Sequence, residues 1–203
     1  MIAIIDYGMG NLRSVQKAFE YLGYEAVITD SADVIASASH VILPGVGAFE
    51  DAMNRIRETK LDQALYAAAD AGKPVLGICL GMQMLFQKSY EYGEHEGLAL
   101  IPGVVEPLAP VLPEGLKVPH IGWNRLDLVK PDDPLFKYTR EDDYVYYVHS
   151  FYASRCAGST LATSEYGIPV TGVVRRGSVI GMQFHPEKSG DAGLRLLRAF
   201  AEL

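Results

Sequence analysis

Gly77-Ile78-Cys79-Leu80-Gly81 stands where a short apolar run, Pro74 to Cys79, gives way to a helical pattern over Leu80 to Lys88. A nucleophile on a sharp strand-to-helix turn is held in a strained conformation, so the residues two places to either side must be small. Gly77 and Gly81 satisfy that on both sides. The thiolate is the attacking species, and a helix N-terminus behind the sulfur favours it. Backbone N–H groups at the same terminus are placed to hold an oxyanion. A lone cysteine is also an ordinary small buried hydrophobe, so Cys79 reads as a nucleophile only if partners can be found.

A cysteine that cleaves an amide needs a base and a group to orient it. His185-Pro186-Glu187 follows the apolar run Val179 to Phe184. Ligands gather at the carboxyl ends of parallel strands, where both Cys79 and His185 would lie. Extended backbone points residues two apart the same way, and Pro186 fixes φ between them. Glu187 would then hold one imidazole nitrogen while the other faces the thiol. Among the other histidines, His95 has neighbouring carboxylates, but Glu94-His95-Glu96 reads as a solvated loop. Pro44-Gly45-Val46-Gly47 follows another strand, and its glycines would allow a second oxyanion donor, though an ordinary connecting loop has the same composition. Gly8-Met9-Gly10 starts like a dinucleotide fingerprint, but Arg13 stands where the third glycine belongs.

The elements that must position these residues alternate in the first half. Ile2–Ile5, Glu25–Thr29, His40–Leu43 and Pro74–Cys79 read as strands. A helical stripe at Leu12, Val15, Phe19 and Leu22 ends at Gly23, and further helices are expected over 48–57, 61–71 and 80–88. This interleaving predicts βαβ units and a mostly parallel α/β sheet. The second half is punctuated by Gly and Pro, with short β-rich runs at 118–128, 144–151 and 160–165. A hairpin over 170–184 is expected to turn at Arg176-Gly177. A last helix covers 191–201. No repeat or linker interrupts the pattern, so residues 1–203 are expected to form one domain, its parallel core sheet elaborated by hairpins.

Composition bounds the rest. A chain of 203 residues with 49% hydrophobic and 21% charged residues can bury a full core without staples. Its net charge of −7 argues against nucleic acid or an anionic membrane as the main partner. Two cysteines make neither a disulfide framework nor a four-ligand zinc site. The N-terminal apolar run is too short for a signal-peptide core, and no stretch reaches the length of a membrane span, so a reduced, cytoplasmic protein is expected.

Gly77-Ile78-Cys79-Leu80-Gly81-Met82-Gln83 together with His185-Pro186-Glu187 resembles the class I (triad) glutamine amidotransferases. Further blocks resemble the glutaminase subunits of imidazole glycerol phosphate synthase. They are Ile5–Asn11, Pro44–Gly47, Pro119-His120-Ile121-Gly122-Trp123-Asn124, Tyr147–Ser150 and Gln183–Ser189, so the likeness runs over nearly the whole chain. Ser150 stands where a threonine is sometimes seen. The resemblance implies a glutamine amidotransferase domain with Cys79 as nucleophile, His185 as proton shuttle and Glu187 as its orienter. It implies oxyanion donors at the backbone N–H groups of Leu80 and Val46. Gly45, Gln83, His149, Ser150 and Phe151 would hold glutamine. Asn11, Trp123, Tyr146 and Lys188 would lie near a subunit interface and ammonia passage. The implied partner is a (β/α)₈-barrel cyclase subunit, in a heterodimer making imidazole glycerol phosphate and aminoimidazole carboxamide ribotide. No metal and no cofactor are implied. A glutaminase for another synthase, a catalytically silent module on the same scaffold, and a cysteine hydrolase with another substrate remain as alternatives.

Overall fold

A computed structural model describes all residues, 1–203. The first half runs β1 (Ile2–Ile5), α1 (Leu12–Tyr21), β2 (Ala26–Thr29), α2 (Ala32–Ser37), β3 (His40–Gly45), α3 (Phe49–Glu58), α4 (Leu61–Asp70), β4 (Val75–Cys79) and α5 (Leu80–Met84). The second half runs β5 (Lys88–Ser89), β6 (His95–Glu96), β7 (Val104–Pro107), β8 (His120–Arg125), β9 (Asp127–Leu128), β10 (Tyr144–His149), β11 (Phe151–Ser154), β12 (Thr160–Glu165), β13 (Pro169–Arg176), β14 (Val179–Met182) and α6 (Gly190–Ala201). The central sheet has the order β2-β1-β3-β4-β14-β13-β12-β9. Its first five strands are parallel, and the last three are added antiparallel. The expected α/β fold with a mostly parallel sheet flanked by helices is therefore present.

The parallel strands read as continuous apolar runs because both faces are covered. Ala3, Ile5, Val41, Leu43 and Val75 pack with Ile35, Met53, Ile56 and Leu65 from α2, α3 and α4. Their neighbours Ile2, Ile4, Ile42, Leu76 and Ile78 face the other way, onto Val15 and Phe19 of α1 and Leu197 and Phe200 of α6. Strand alternation thus builds two cores from one sheet. No helix is long and apolar enough to cross a membrane.

Several expectations are corrected. The helix after Cys79 stops at Met84, not at Lys88. The Met84 carbonyl, which Lys88 N–H would use in a longer helix, accepts from Leu98, and the carbonyls of Leu85, Phe86 and Gln87 accept from Ile101, Ala99 and Gly97. The hairpin turns at Gly177-Ser178, one residue later than expected, because Arg176 pairs with Val179 and Gly177 takes the positive φ, 59°. The run 144–151 is two strands, β10 and β11, in different sheets. His95 is not in a loop: it pairs with Ser89 and is half-buried near Glu50. The short helix α2 and the small β11-β7-β5-β6 sheet had no strong period to announce them.

Candidate active site

The carboxyl ends of β3, β4 and β14 lie side by side, with Gly45 opposite Cys79 and Met182 opposite Ile78. Each strand delivers one part of the site just beyond its end. Cys79 closes β4 and caps α5 with φ 55° and ψ −111°. A non-glycine residue there stores on the order of 1–3 kcal/mol of strain, which the surrounding packing must hold. The two elbow glycines make that packing possible. A Cβ on Gly81 would lie 1.9 Å from the Leu43 carbonyl oxygen, and one on Gly77 would lie 2.6 Å from the Gly81 oxygen.

His185 is buried, and its Nδ1 is 2.8 Å from Glu187 Oε1. Extended backbone does not produce this pair, contrary to expectation. Residues 186–188 form a single 3₁₀ turn, closed by Lys188 N–H donating to the His185 carbonyl and Ser189 N–H to that of Pro186. The Ser189 hydroxyl also donates to the His185 carbonyl and accepts from Tyr146 N–H, while His185 N–H donates to the Tyr146 carbonyl. β10 therefore fixes the turn from one side. Asn11 Nδ2 donates to the same Glu187 oxygen at 3.3 Å, and Glu187 Oε2 has no protein partner. Burial alone would pull the His185 imidazolium down. Its interactions with Cys79 and Glu187 outweigh that and push it up to about 9.

A pocket of about 440 Å³ opens over Cys79. Val46, Leu80, Gln83, His149, Ser150, Phe151, His185 and Lys188, all singled out in the sequence, line it together with Cys79. Gly45 does not. It is the last residue of β3, and a Cβ there would meet Gly81 N at 2.6 Å. The Tyr7 hydroxyl donates to the Pro44 carbonyl at 2.8 Å, which pins the peptide before Gly45. Beyond Gly45 the loop opens outward: Gly47 has φ 95° and Val46 is exposed. Trp123 and Tyr146 pair across β8 and β10 with ring centroids 5.8 Å apart, and they lie outside the pocket lining.

Residues given no role in the sequence analysis complete the walls. Glu91, Tyr92 and Pro119 line the pocket. The Glu91 carboxylate accepts from Phe49 N–H, and Tyr92 packs edge-on against Phe151. Gln183 is fully buried, its Nε2 4.0 Å from Cys79 Sγ and its Oε1 accepting from Gln83 Nε2 at 3.0 Å. Gln83 Nε2 also donates to the Phe151 carbonyl, so this side chain braces the wall as well as facing the cavity. Nothing in the spacing of Glu91 or Tyr92 could have placed them here, because the loop that carries them has no periodic pattern. Chemically, the site offers a strained thiol, a buried imidazole aligned by a carboxylate, and a half-polar pocket sized for a small metabolite.

The family model for class I glutamine amidotransferases matches residues 3–202. The imidazole glycerol phosphate synthase subunit HisH of Lacticaseibacillus casei is 50% identical over 203 residues, covering 100% of this chain and 96% of that protein. The HisH subunit of Caldanaerobacter subterraneus is 48% identical over 204 residues, covering 100% and 98%. A crystal structure of a glutamine amidotransferase superposes with a TM-score of 0.77 at 22% identity, over 99% of this chain and 97% of that one. The PurLQS structure from Thermotoga maritima gives 0.76 at 18% identity with the same coverage. At these identities the two structures show the shared fold.

Proposed function

The chain belongs to the class I glutamine amidotransferases and, within them, to the HisH subunits of imidazole glycerol phosphate synthase, and from that premise we propose that Cys79, His185 and Glu187 are its catalytic residues. It is a glutaminase subunit that serves histidine biosynthesis. The observation that carries the residue assignment is the strained Cys79 in a pocket also lined by His185, whose Nδ1 is 2.8 Å from Glu187 Oε1.

The Cys79 thiolate adds to the side-chain amide carbon of glutamine, and the carbonyl oxygen becomes an oxyanion. The N–H groups of Leu80 and Val46 are the proposed donors to it. The His185 imidazolium gives its proton to the amide nitrogen, the C–N bond breaks, and ammonia leaves a glutamyl thioester. Neutral His185 then takes a proton from water. The hydroxide attacks the thioester, glutamate departs, and the thiolate–imidazolium pair is restored. Glu187 fixes the tautomer and stabilises the charged ring. Gln83, His149, Ser150 and Phe151 shape the glutamine site. Gly45 acts on it from behind, by allowing the close approach of β3 to the elbow.

The ammonia goes to a cyclase subunit, proposed to be a (β/α)₈ barrel in a heterodimer with this chain. Ile121 and Trp123 are exposed on β8 next to the site and offer an apolar docking face. Asn11, Tyr146 and Lys188 surround the Glu187 side, where the ammonia would pass. The cytoplasm is the proposed location. The test is glutamine turnover by the isolated chain, by the complex, and by the complex with its phosphorylated ligand. A rise at each step is expected, because rotation of the peptide between Gly45 and Val46 would turn the Val46 N–H toward the oxyanion and add one donor, worth roughly 10²–10³ in rate. Equal turnover in all three would reject control by the partner.

The pH dependence gives a second test. His185 has a raised pKa, so its imidazolium persists through neutral pH and is lost as pH climbs through about 9. The rate of thioester formation should fall on that alkaline limb. Glu187→Gln should draw the limb toward neutral and reduce turnover less than His185→Ala does. An unmoved limb would remove Glu187 from the orienting role.

A further inference from the structure

His120 and His149 carry out no step of this reaction, yet a chain of polar contacts joins them to its centre. His120 Nδ1 and His149 Nε2 are 2.9 Å apart. At the outer ends, His149 Nδ1 is 2.8 Å from the Phe151 carbonyl oxygen, and His120 Nε2 is 2.7 Å from Asn124 Oδ1. The Asn124 amide cannot be reversed, because its Nδ2 donates to the Glu165 carbonyl at 2.8 Å. Both ends of the chain are therefore oxygens that only accept. Each outer nitrogen must carry a proton, and the contact between the rings needs another. Three protons on four nitrogens is one more than two neutral imidazoles hold. With only two, lone pairs face each other at one of the three contacts.

The surroundings pull in both directions. The His120 ring is stacked between Tyr166, at 3.9 Å, and Tyr147, at 4.8 Å, and aromatic faces favour a cation. The hydroxyls of those tyrosines are engaged elsewhere, with the Lys117 carbonyl and Ser164. Against the charge, burial pulls both imidazoles down, His149 to about 4, and the charges of His120 and His185 add to this at His149. Cys79 and Lys188 face the same cavity as His149.

We propose that His120 and His149 bind one excess proton as a single unit, and that this proton clamps the wall of the glutamine pocket to β8. Both are then positioning residues for the substrate. The inference rests on reading this pocket as the glutamine site. The clamp reaches the chemistry through the Phe151 carbonyl, which accepts from His149 and from Gln83, and onward from Gln83 to Gln183 beside Cys79. Losing the proton breaks one link and frees residues 149–151, which position glutamine and do not move its protons.

The test has two readouts. In the full chain labelled with ¹⁵N-histidine, the two rings should titrate together at one midpoint above 4, with three of their four nitrogens protonated below it. Asn124→Asp places a carboxylate on His120 and should raise that midpoint by about one unit, while His120→Gln should abolish it. In the complex with its cyclase, the KM for glutamine should rise several-fold as pH passes the midpoint, without a matching step in kcat. That KM step should move with Asn124→Asp and vanish with His120→Gln. A purely structural role would raise KM equally at every pH in Asn124→Asp. Separate midpoints, two protons at every pH down to 4, or a KM step that stays put when the midpoint moves would overturn the proposal. If the complex failed to hydrolyse glutamine at all, the functional reading would fail, while the nitrogen titration would still decide the proton count.

Discussion

Cys79→Ala is expected to abolish glutamine hydrolysis while leaving the complex able to use added ammonia. Removing the nucleophile from a comparable catalytic set costs up to about 10⁶ in turnover, and a loss of at least about 10⁴-fold is expected here. No second thiol can substitute. Cys156 is buried in the other half of the chain, with Thr160 and Thr171 hydroxyls 3.7 and 3.8 Å from its sulfur. Cys156→Ser should therefore turn over glutamine nearly as fast as the parent. Ammonia-dependent synthesis in the Cys79 variant separates loss of the nucleophile from loss of the fold or of the partner. Substantial glutaminase activity in Cys79→Ala would remove the assignment.

The second large effect belongs to the elbow. Gly81→Ala should destabilise the protein by about 3 kcal/mol or more. The added Cβ would sit 1.9 Å from the Leu43 carbonyl oxygen and 2.9 Å from its carbon, so backbone must move on backbone. The shift would push β3 from β4 and disturb both Val46 and Cys79. Thermal or denaturant unfolding reads the loss. Gly158→Ala, at a glycine with open surroundings and no positive φ, gives a control for the substitution itself. A Gly81→Ala midpoint like the parent's would show that the close approach does not hold the elbow.

Much of this was legible in the sequence, for physical reasons that differ between elements. The parallel strands could be read because burial on both faces demands unbroken apolar runs, as in Ile2–Ile5 and Val75–Cys79. The elbow could be read because a strained nucleophile tolerates only small neighbours. The end of α5 could not, since Leu98 N–H takes the Met84 carbonyl and its neighbours Gly97, Ala99 and Ile101 take the carbonyls just beyond the helix, a long-range effect invisible to periodicity. The means by which His185 meets Glu187 was also misjudged. Spacing two apart suits an extended strand, but Pro186 starts a 3₁₀ turn instead, and the contact survives by a different geometry. Gly45 illustrates the same point. It was expected to hold glutamine, whereas it lies outside the pocket lining and packs closely against Gly81 N. The shared proton of His120 and His149 depends on the acceptors at both ends, Asn124 Oδ1 and the Phe151 carbonyl, and only three-dimensional contacts supply those.

The central claim is that glutamine is cleaved through a thioester on Cys79, and acid-quenched mass spectrometry of the working complex tests it most directly. The complex is mixed with glutamine and its phosphorylated ligand, stopped in acid during turnover, and digested. A glutamyl adduct is expected on the peptide carrying Cys79, absent from Cys79→Ala and absent from the peptide carrying Cys156. Steady glutamine hydrolysis with no adduct at Cys79 at any quench time, or with the adduct on another residue, would contradict it.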